Sequence, residues 1–249
     1  MMKFALLASG SKGNCCLIRD ENCSIIIDCG STKTHLKQCF QKLQYDPNHS
    51  DALFVTHTHT DHISQLKMFN EIHTYARCDL ETDHFHSLEA LSEIQIQSMK
   101  IKEIPLSHDT ETCSGYVIES SNRKLVYITD TGYVKEEYYP YLKDADYYIF
   151  ESNHDVEQLM QTRRPMYVKQ RIIGDQGHLC NEDCAELLSQ LVSDKTKEII
   201  LAHISEEGND REKALSVLNE ALQNSEIDDT KIRKIAAQQF EIVLGGDKE

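Results

Sequence analysis

A chain of 249 residues can bury one sizeable core, and with only 4 Pro, 10 Gly and no low-complexity tract it shows no linker, so one compact domain over residues 1–249 is expected. Its 26 basic and 41 acidic side chains leave a formal charge of −15, which excludes a broad polyanion-coating surface. Nine cysteines, odd in number and without a CxxC, exclude a small disulfide-stapled scaffold, and no stretch approaches the ~20 apolar residues of a membrane span, so a cytoplasmic protein is expected.

In chain order, FALLAS (4–9) reads as a first strand and runs at once into the glycine turn SGSKGN (9–14). Further strand-like runs are CSIIID (23–28), ALFVTH (52–57), KIKEIPLSH (100–108) and SGYVIES (114–120). KLVYITD (124–130), YYIFES (147–152) and KEIILAH (197–203) follow. Helical periodicity marks THLKQCFQKLQ (34–44), HISQLKMFN (62–70), NEDCAELLSQLVS (181–193) and REKALSVLNEALQ (211–223). The tail KIRKIAAQQFEIVLG (231–245) allows one or two more strands. Several early strands follow one another with no room for a crossover helix. That excludes a simple alternating barrel and favours mixed sheets covered by helices.

Four of the apolar runs end in a metal-capable residue: ALFVT at His57, EIPLS at His108, KLVYIT at Asp130 and EIILA at His203. Strand ends hold ligands more rigidly than free loops do. The first ending continues into HTHTDH (57–62), three imidazoles and a carboxylate in six positions. His57 and His59, two apart in extended chain, point the same way and suit one ion together with His108. Asp61 and His62 open the next helix and suit a second ion with His203, while Asp130 can bridge both through its two oxygens. Imidazole plus carboxylate is a borderline-hard donor set, so two divalent ions per chain are expected, Zn²⁺ or Mn²⁺, with Fe²⁺ also admissible. A surface loop explains a lone histidine better than it explains this run. His35, His49, His73, His84 and His86 lack partners at ligand spacing and are expected to be ordinary polar residues.

Outside the cluster, GHLCNEDCAELL (177–188) sets His178 ahead of Asn181, an expected N-cap, with Glu182 and Asp183 in the first helical turn. A histidine beside a helix N-terminus suits a phosphate, which assigns His178 a catalytic or phosphate-contacting role. The glycine turn, with Ser9 and Asn14, reads equally as a cradle of N–H groups for an anion or as a plain tight turn. His154, in SNHD, reads equally as a cap or as part of the site. The tyrosine-rich stretch 136–150 reads as a helix followed by a buried strand in preference to a base-stacking platform.

The HxHxDH of 57–62, followed in order by His108, Asp130 and His203, and the strand IIIDCG (25–30) ending in Asp28, resemble the metallo-β-lactamase superfamily. The resemblance implies an α/β fold of the four-layer αββα sandwich type, two metals at one edge of the sheets, and an Asp28 that orients the histidine loop without binding metal. Narrower stretches, LLASGSKGN (6–14), ESNHD (151–155), KQRIIGDQGHLCNEDCAELL (169–188) and LAHISEEGN (201–209), resemble the bacterial YycJ/WalJ/VicX family. That resemblance implies a cytoplasmic metal-dependent hydrolase acting on nucleic-acid phosphodiesters. Cys180 and Met166 depart from the serine and tryptophan usual in that family. His178 is also similar to the helix-leading histidine of the related tRNA 3′-processing ribonucleases, which implies proton donation to the leaving oxygen.

The expected function is therefore a dinuclear phosphodiesterase or exonuclease-like nuclease. A water between the ions, its pKa lowered from ~15.7 towards ~7, attacks phosphorus; His178 protonates the departing oxygen, and Asp61 serves as ligand or proton acceptor. The expected partner is nucleic acid or another phosphodiester, with no membrane and no obligate protein partner. The −15 charge leaves open a small-molecule hydrolase of the same fold, acting on a thioester, a lactone or a cyclic phosphodiester. The stretch QTRRPMYVKQR (161–171), rich in basic residues and free of acids, answers that objection in part. A two-iron redox enzyme is disfavoured, because such relatives carry a carboxylate where His59 stands and a fused flavin domain for which this chain has no room. The presence of all seven ligands disfavours an inactive regulator that keeps only the fold.

Overall fold

The computed structural model describes residues 1–120, 122–225 and 227–247. Its strands and helices begin with β1 (Lys3–Ala8), β2 (Cys15–Arg19), β3 (Ser24–Ile27), α1 (Lys33–Lys42), β4 (Ala52–Phe54) and α2 (Thr60–Ile63). They continue with β5 (Thr74–Ala76), β6 (Phe85–Ser87), β7 (Glu93–Ile96), β8 (Met99–Leu106), β9 (Cys113–Ser120), β10 (Arg123–Ile128), α3 (Tyr139–Leu142) and β11 (Tyr147–Glu151). The remainder are α4 (Val156–Gln161), α5 (Met166–Ile173), α6 (Asn181–Leu191), β12 (Glu198–Ala202), α7 (Arg211–Gln223), β13 (Arg233–Ala236) and β14 (Val243–Gly246). Every strand expected from the sequence is present, and the tail supplies two. The strands β2, β5, β6 and β7 lie outside the strand-like runs of the sequence.

The chain divides into two compact units: Met1–Pro105 with Thr110–Arg123 and Gln239–Glu249, and Leu106–Asp109 with Lys124–Gln238. In the first, a sheet runs in the order β14-β1-β2-β3-β4-β5-β6. Its β14, β1, β2 and β3 pair antiparallel, and β3 to β6 pair parallel. Alternate strand residues, Ala5, Leu7, Leu17, Ile26 and Leu53, pack with Leu36, Cys39 and Phe40 of α1 in one buried cluster. In the second unit β10, β11, β12 and β13 pair parallel. Every residue of β11 and β12 is buried, the near-continuous apolar pattern of parallel strands covered on both faces.

One expected element differs. The periodicity of 62–70 predicts a single helix, but α2 stops at Ile63 and a separate 3-10 turn spans Leu66–Phe69. Two carbonyls that would continue the helix are taken by other segments: Asp61 O accepts from Asn14 N at 2.8 Å and His62 O from Cys29 N at 2.7 Å. Tertiary hydrogen bonds outcompete the i to i−4 ladder here. This close approach needs a glycine, because a Cβ on Gly30 would run into the Asp61 carbonyl. Gly30→Ala is expected to destabilise the fold by at least about 3 kcal/mol, read by urea denaturation. A loss below 1 kcal/mol, taking ~1 kcal/mol as an ordinary substitution, would mean the loop yields freely.

Candidate metal centre

In the first unit, parallel pairing of Ile27 with Phe54 sets Asp28, just past β3, beside the residues that follow β4. Asp28 is fully buried, and its left-handed backbone, φ 58°, turns the chain sharply away from the strand. Its carboxylate accepts from Thr56 N at 2.8 Å, from Thr56 Oγ1 at 3.1 and 3.0 Å, and from His62 Nδ1 at 2.8 Å. Burial pushes the Asp28 pKa up, and the His62 and Thr56 contacts oppose that rise. Thr56 spends its one hydroxyl proton on Asp28, so it can only accept from His57 Nδ1 at 3.0 Å. Both His57 and His62 therefore carry their proton on Nδ1 and present Nε2 as a donor atom for a cation. The His57 ring centroid lies 4.6 Å from that of His59 and 4.1 Å from that of His62. Asn14 Nδ2 donates to His62 Nε2 at 2.9 Å and to Asp61 Oδ2 at 3.3 Å, which gathers Asp61 into the same group.

In the second unit, β10, β11 and β12 end side by side, with Ile128 opposite Phe150 and Phe150 opposite Leu201. Their carboxyl ends bring Asp130, Glu151 and His203 together, the position where parallel α/β sheets carry their chemistry. Asp130 and His203 are both left-handed, φ 58° and 53°. Atoms of Asp130, Glu151, His178 and His203 that can bind metal all lie within 4.8 Å of one another. Asp130 Oδ1 is 3.4 Å from His203 Nε2, 3.8 Å from His108 Nε2 and 3.8 Å from His178 Nδ1. Glu151 is fully buried: Oε1 accepts from His178 Nδ1 at 2.7 Å and His203 Nδ1 at 3.1 Å, and Oε2 from Thr131 N at 2.8 Å. Burial opposes the charge on Glu151, but His178 and His203 outweigh it and hold the carboxyl down at about 2. His108 Nδ1 donates to Gly177 O at 3.0 Å, which leaves Nε2 as its donor atom, and burial lowers its pKa against the pull of Asp130.

Each unit thus holds imidazole and carboxylate donors with one buried carboxylate behind them at a strand end: Asp28 fixes His62 and, through Thr56, His57, and Glu151 fixes His178 and His203. That donor set fits divalent transition ions. Glu151 escaped sequence reasoning, although YYIFE ends in a metal-capable residue just as the other runs do. Its partners stand 27 and 52 positions away.

Other expected residues fall differently. The N–H groups of Ser9, Gly10, Lys12, Gly13 and Asn14 are spent on Gln239 O, Asn14 Oδ1, Gln239 Oε1, Gly10 O and Asp61 O, so SGSKGN is a tight turn and not an anion cradle. Cys180, not Asn181, caps α6, its sulfur accepting from Asp183 N at 3.4 Å. Asn181 sits one residue inside the helix, buried, exchanging amide hydrogen bonds of 2.9 and 2.8 Å with Asn209 and accepting from Ser152 Oγ at 2.7 Å. His73, His84 and His86 do have partners: they gather at β5 and β6, with His73 Nδ1 2.8 Å from His86 Nε2.

His154 is 1% exposed, and neither ring nitrogen has a hydrogen-bond partner among the described residues. Burial holds its pKa at about 4, below the ordinary 6.5. As pH falls, the unfolded chain takes up the proton first. Stability fully present above pH 6.5 is therefore expected to drain by about 3 kcal/mol as pH falls towards 4. Denaturant unfolding of chelated protein across that window measures it. If His154→Gln leaves the slope unchanged, another group is responsible.

A family model described as a beta-lactamase superfamily domain matches residues 24–204. The chain is 32% identical over 236 residues to a protein of Bacillus anthracis named exodeoxyribonuclease YycJ, covering 89% of each chain. It is 29% identical over 238 residues to a Streptococcus pneumoniae protein named exodeoxyribonuclease WalJ, covering 89% of this chain and 88% of the other. The crystal structure of the metallo-beta-lactamase fold protein YhfI from Bacillus subtilis superposes with a TM-score of 0.74 at 16% identity, over 98% of this chain and 99% of that one, and this likeness carries the fold expected from the sequence. Among the described residues no helix is long and apolar enough to cross a membrane. With its histidine loop, its strand-end carboxylates and a family match over most of its length, the chain belongs to the metallo-β-lactamase superfamily and, within it, to the YycJ/WalJ family.

Proposed function

We propose that the protein is a metal-dependent exonuclease acting on DNA phosphodiesters, and that it works as one domain, since the family match runs through both units. The observation that carries the proposal is the group of Asp130, Glu151, His178 and His203, whose metal-capable atoms lie within 4.8 Å of one another, all buried except the half-buried His178. Support comes from the names of the relatives, both exodeoxyribonucleases. His57, His59 and His108 would hold one divalent ion and Asp61, His62 and His203 another, with Asp130 shared. Zn²⁺ and Mn²⁺ suit these donors. Such ions, when bound, supply a water of lowered pKa and neutralise charge on the phosphoryl oxygens. Nine free, buried cysteines suit the reducing cytoplasm.

The protein's own residues handle the proton. Glu151 accepts from His178 Nδ1 and holds the ring, which leaves Nε2 as the atom that hands a proton to the departing sugar oxygen. Asp61, steadied by Asn14, serves as ligand, and its second oxygen can take a proton. Asp28 and Glu151 orient the rings and touch no substrate.

The test is hydrolysis by metal-loaded protein of bis-p-nitrophenyl phosphate, of end-labelled single- and double-stranded DNA and RNA, and of a thioester, with His57→Ala as the blank. Progressive shortening of DNA from one end is expected. Intact polynucleotides beside a cleaved thioester would transfer the assignment to a small-molecule hydrolase, which the −15 charge favours.

A further inference from the structure

The second unit carries a surface patch that the proposed chemistry does not use. Ten large apolar side chains are exposed among the described residues, and five of them fall between residues 156 and 173, on α4 and α5. Tyr167 is 73% exposed, the most of the ten, and Met166 beside it is 53% exposed. No acidic residue occurs from 158 to 174, whereas Arg163, Arg164, Lys169 and Arg171 do. Lys169 turns inward and donates to Met160 O at 2.6 Å and Thr162 O at 2.8 Å, which ties α5 to the end of α4. Arg164 bonds Glu207 at 2.9 Å. Arg163 is exposed and has no carboxylate partner among the described residues.

The last turn of α5 is anchored to the residues of the proposed centre. Ile172 O accepts from His178 N at 2.9 Å. Arg171 Nη1 lies 3.3 Å from Asp109 Oδ2, and Asp109 Oδ1 lies 3.3 Å from His108 Nε2. Tyr167 and Arg171, four residues apart, share one helix face. An exposed aromatic ring is therefore joined along one face to a guanidinium whose carboxylate partner, Asp109, lies beside His108.

We propose that this face of α5 is a track for single-stranded DNA, with Tyr167 stacking on a base and Arg171 facing a phosphate, and with the exposed Arg163 just ahead of the helix as a further cation for the strand. The proposal rests on the nuclease reading. A bare ring between arginines matches a single strand, which offers base faces and phosphates together, whereas a duplex hides its bases. On a chain of charge −15, this acid-free segment with four basic residues repels a polyanion less than an average stretch of the chain does.

Fluorescence polarisation of a labelled oligothymidylate, recorded in chelator, reads binding without turnover. Tyr167→Ala is expected to weaken binding about ten-fold or more, and Tyr167→Phe, which keeps the ring, to retain it. Wild-type affinity in Tyr167→Ala overturns the track, as does a Tyr167→Ala variant that changes only the oligomeric state in sedimentation. Unaltered thermal melting confirms that the variants fold. Wild-type activity separates the two levels. If the loaded wild type hydrolyses bis-p-nitrophenyl phosphate but neither binds nor cuts the oligonucleotide, the nuclease reading falls and takes the track with it. If wild type cuts the oligonucleotide and Tyr167→Ala binds it undiminished, only the track falls.

Discussion

Asp130→Asn is expected to lower phosphodiester turnover at least about a thousand-fold and to reduce the metal retained per chain. The substitution isolates charge from shape. Asp130 is 2% exposed with φ 58°, a conformation that asparagine tolerates nearly as well as aspartate, so the variant should fold. What it removes is the carboxylate that faces His203 Nε2 at 3.4 Å and His108 Nε2 at 3.8 Å. Without that anion, any cation there loses its chief neutralising ligand. Elemental analysis after dialysis and kcat on bis-p-nitrophenyl phosphate read the two effects. A folded Asp130→Asn protein that keeps both its metal and more than a tenth of its turnover (a loss of ~1.4 kcal/mol) would remove Asp130 from the ligand set.

Glu151→Gln should cost about 10² to 10⁴-fold in kcat, the range of a lost acid–base contribution. A neutral amide presents an NH₂ to two rings that need an acceptor, and so no longer holds His178 in place to pass its proton. Because Glu151 acts through His178, the two substitutions should be strongly non-additive. In a His178→Ala background, Glu151→Gln retains only its effect through His203, seen as weaker metal binding of about ten- to a hundred-fold. Full additivity in kcat would mean that the two residues act independently. The ordering of effects also separates the two buried carboxylates: Asp28→Asn should weaken metal binding without removing the proton donor.

Much of this was legible in the sequence because it was local. HTHTDH and the strand before it lie within about ten consecutive residues, and the alternation of an extended chain decides which rings point together. The runs ending at His108, Asp130 and His203 were readable one by one, since apolar periodicity marks where a strand stops. The helix Arg211–Gln223 appears with the boundaries its pattern implies. Local reasoning failed where distant backbone intervened at α2, whose carbonyls go to Asn14 and Cys29, and it left SGSKGN open between a cradle and a tight turn, a choice made by Gln239, Asp61 and the turn's own Gly10 and Asn14.

The sequence by itself determined the kinds of donor, the strand ends that carry them and the family to which the chain belongs, because residue type and short-range periodicity are properties of neighbours along the chain. Tertiary structure alone decided that Glu151 governs His178 and His203, that Asp28 and Thr56 set the tautomers of His57 and His62, and that Asn181 binds Asn209 instead of capping its helix. Each of those facts depends on a hydrogen bond between atoms brought to about 3 Å by strand pairing across tens of residues, and no one-dimensional pattern encodes such a distance.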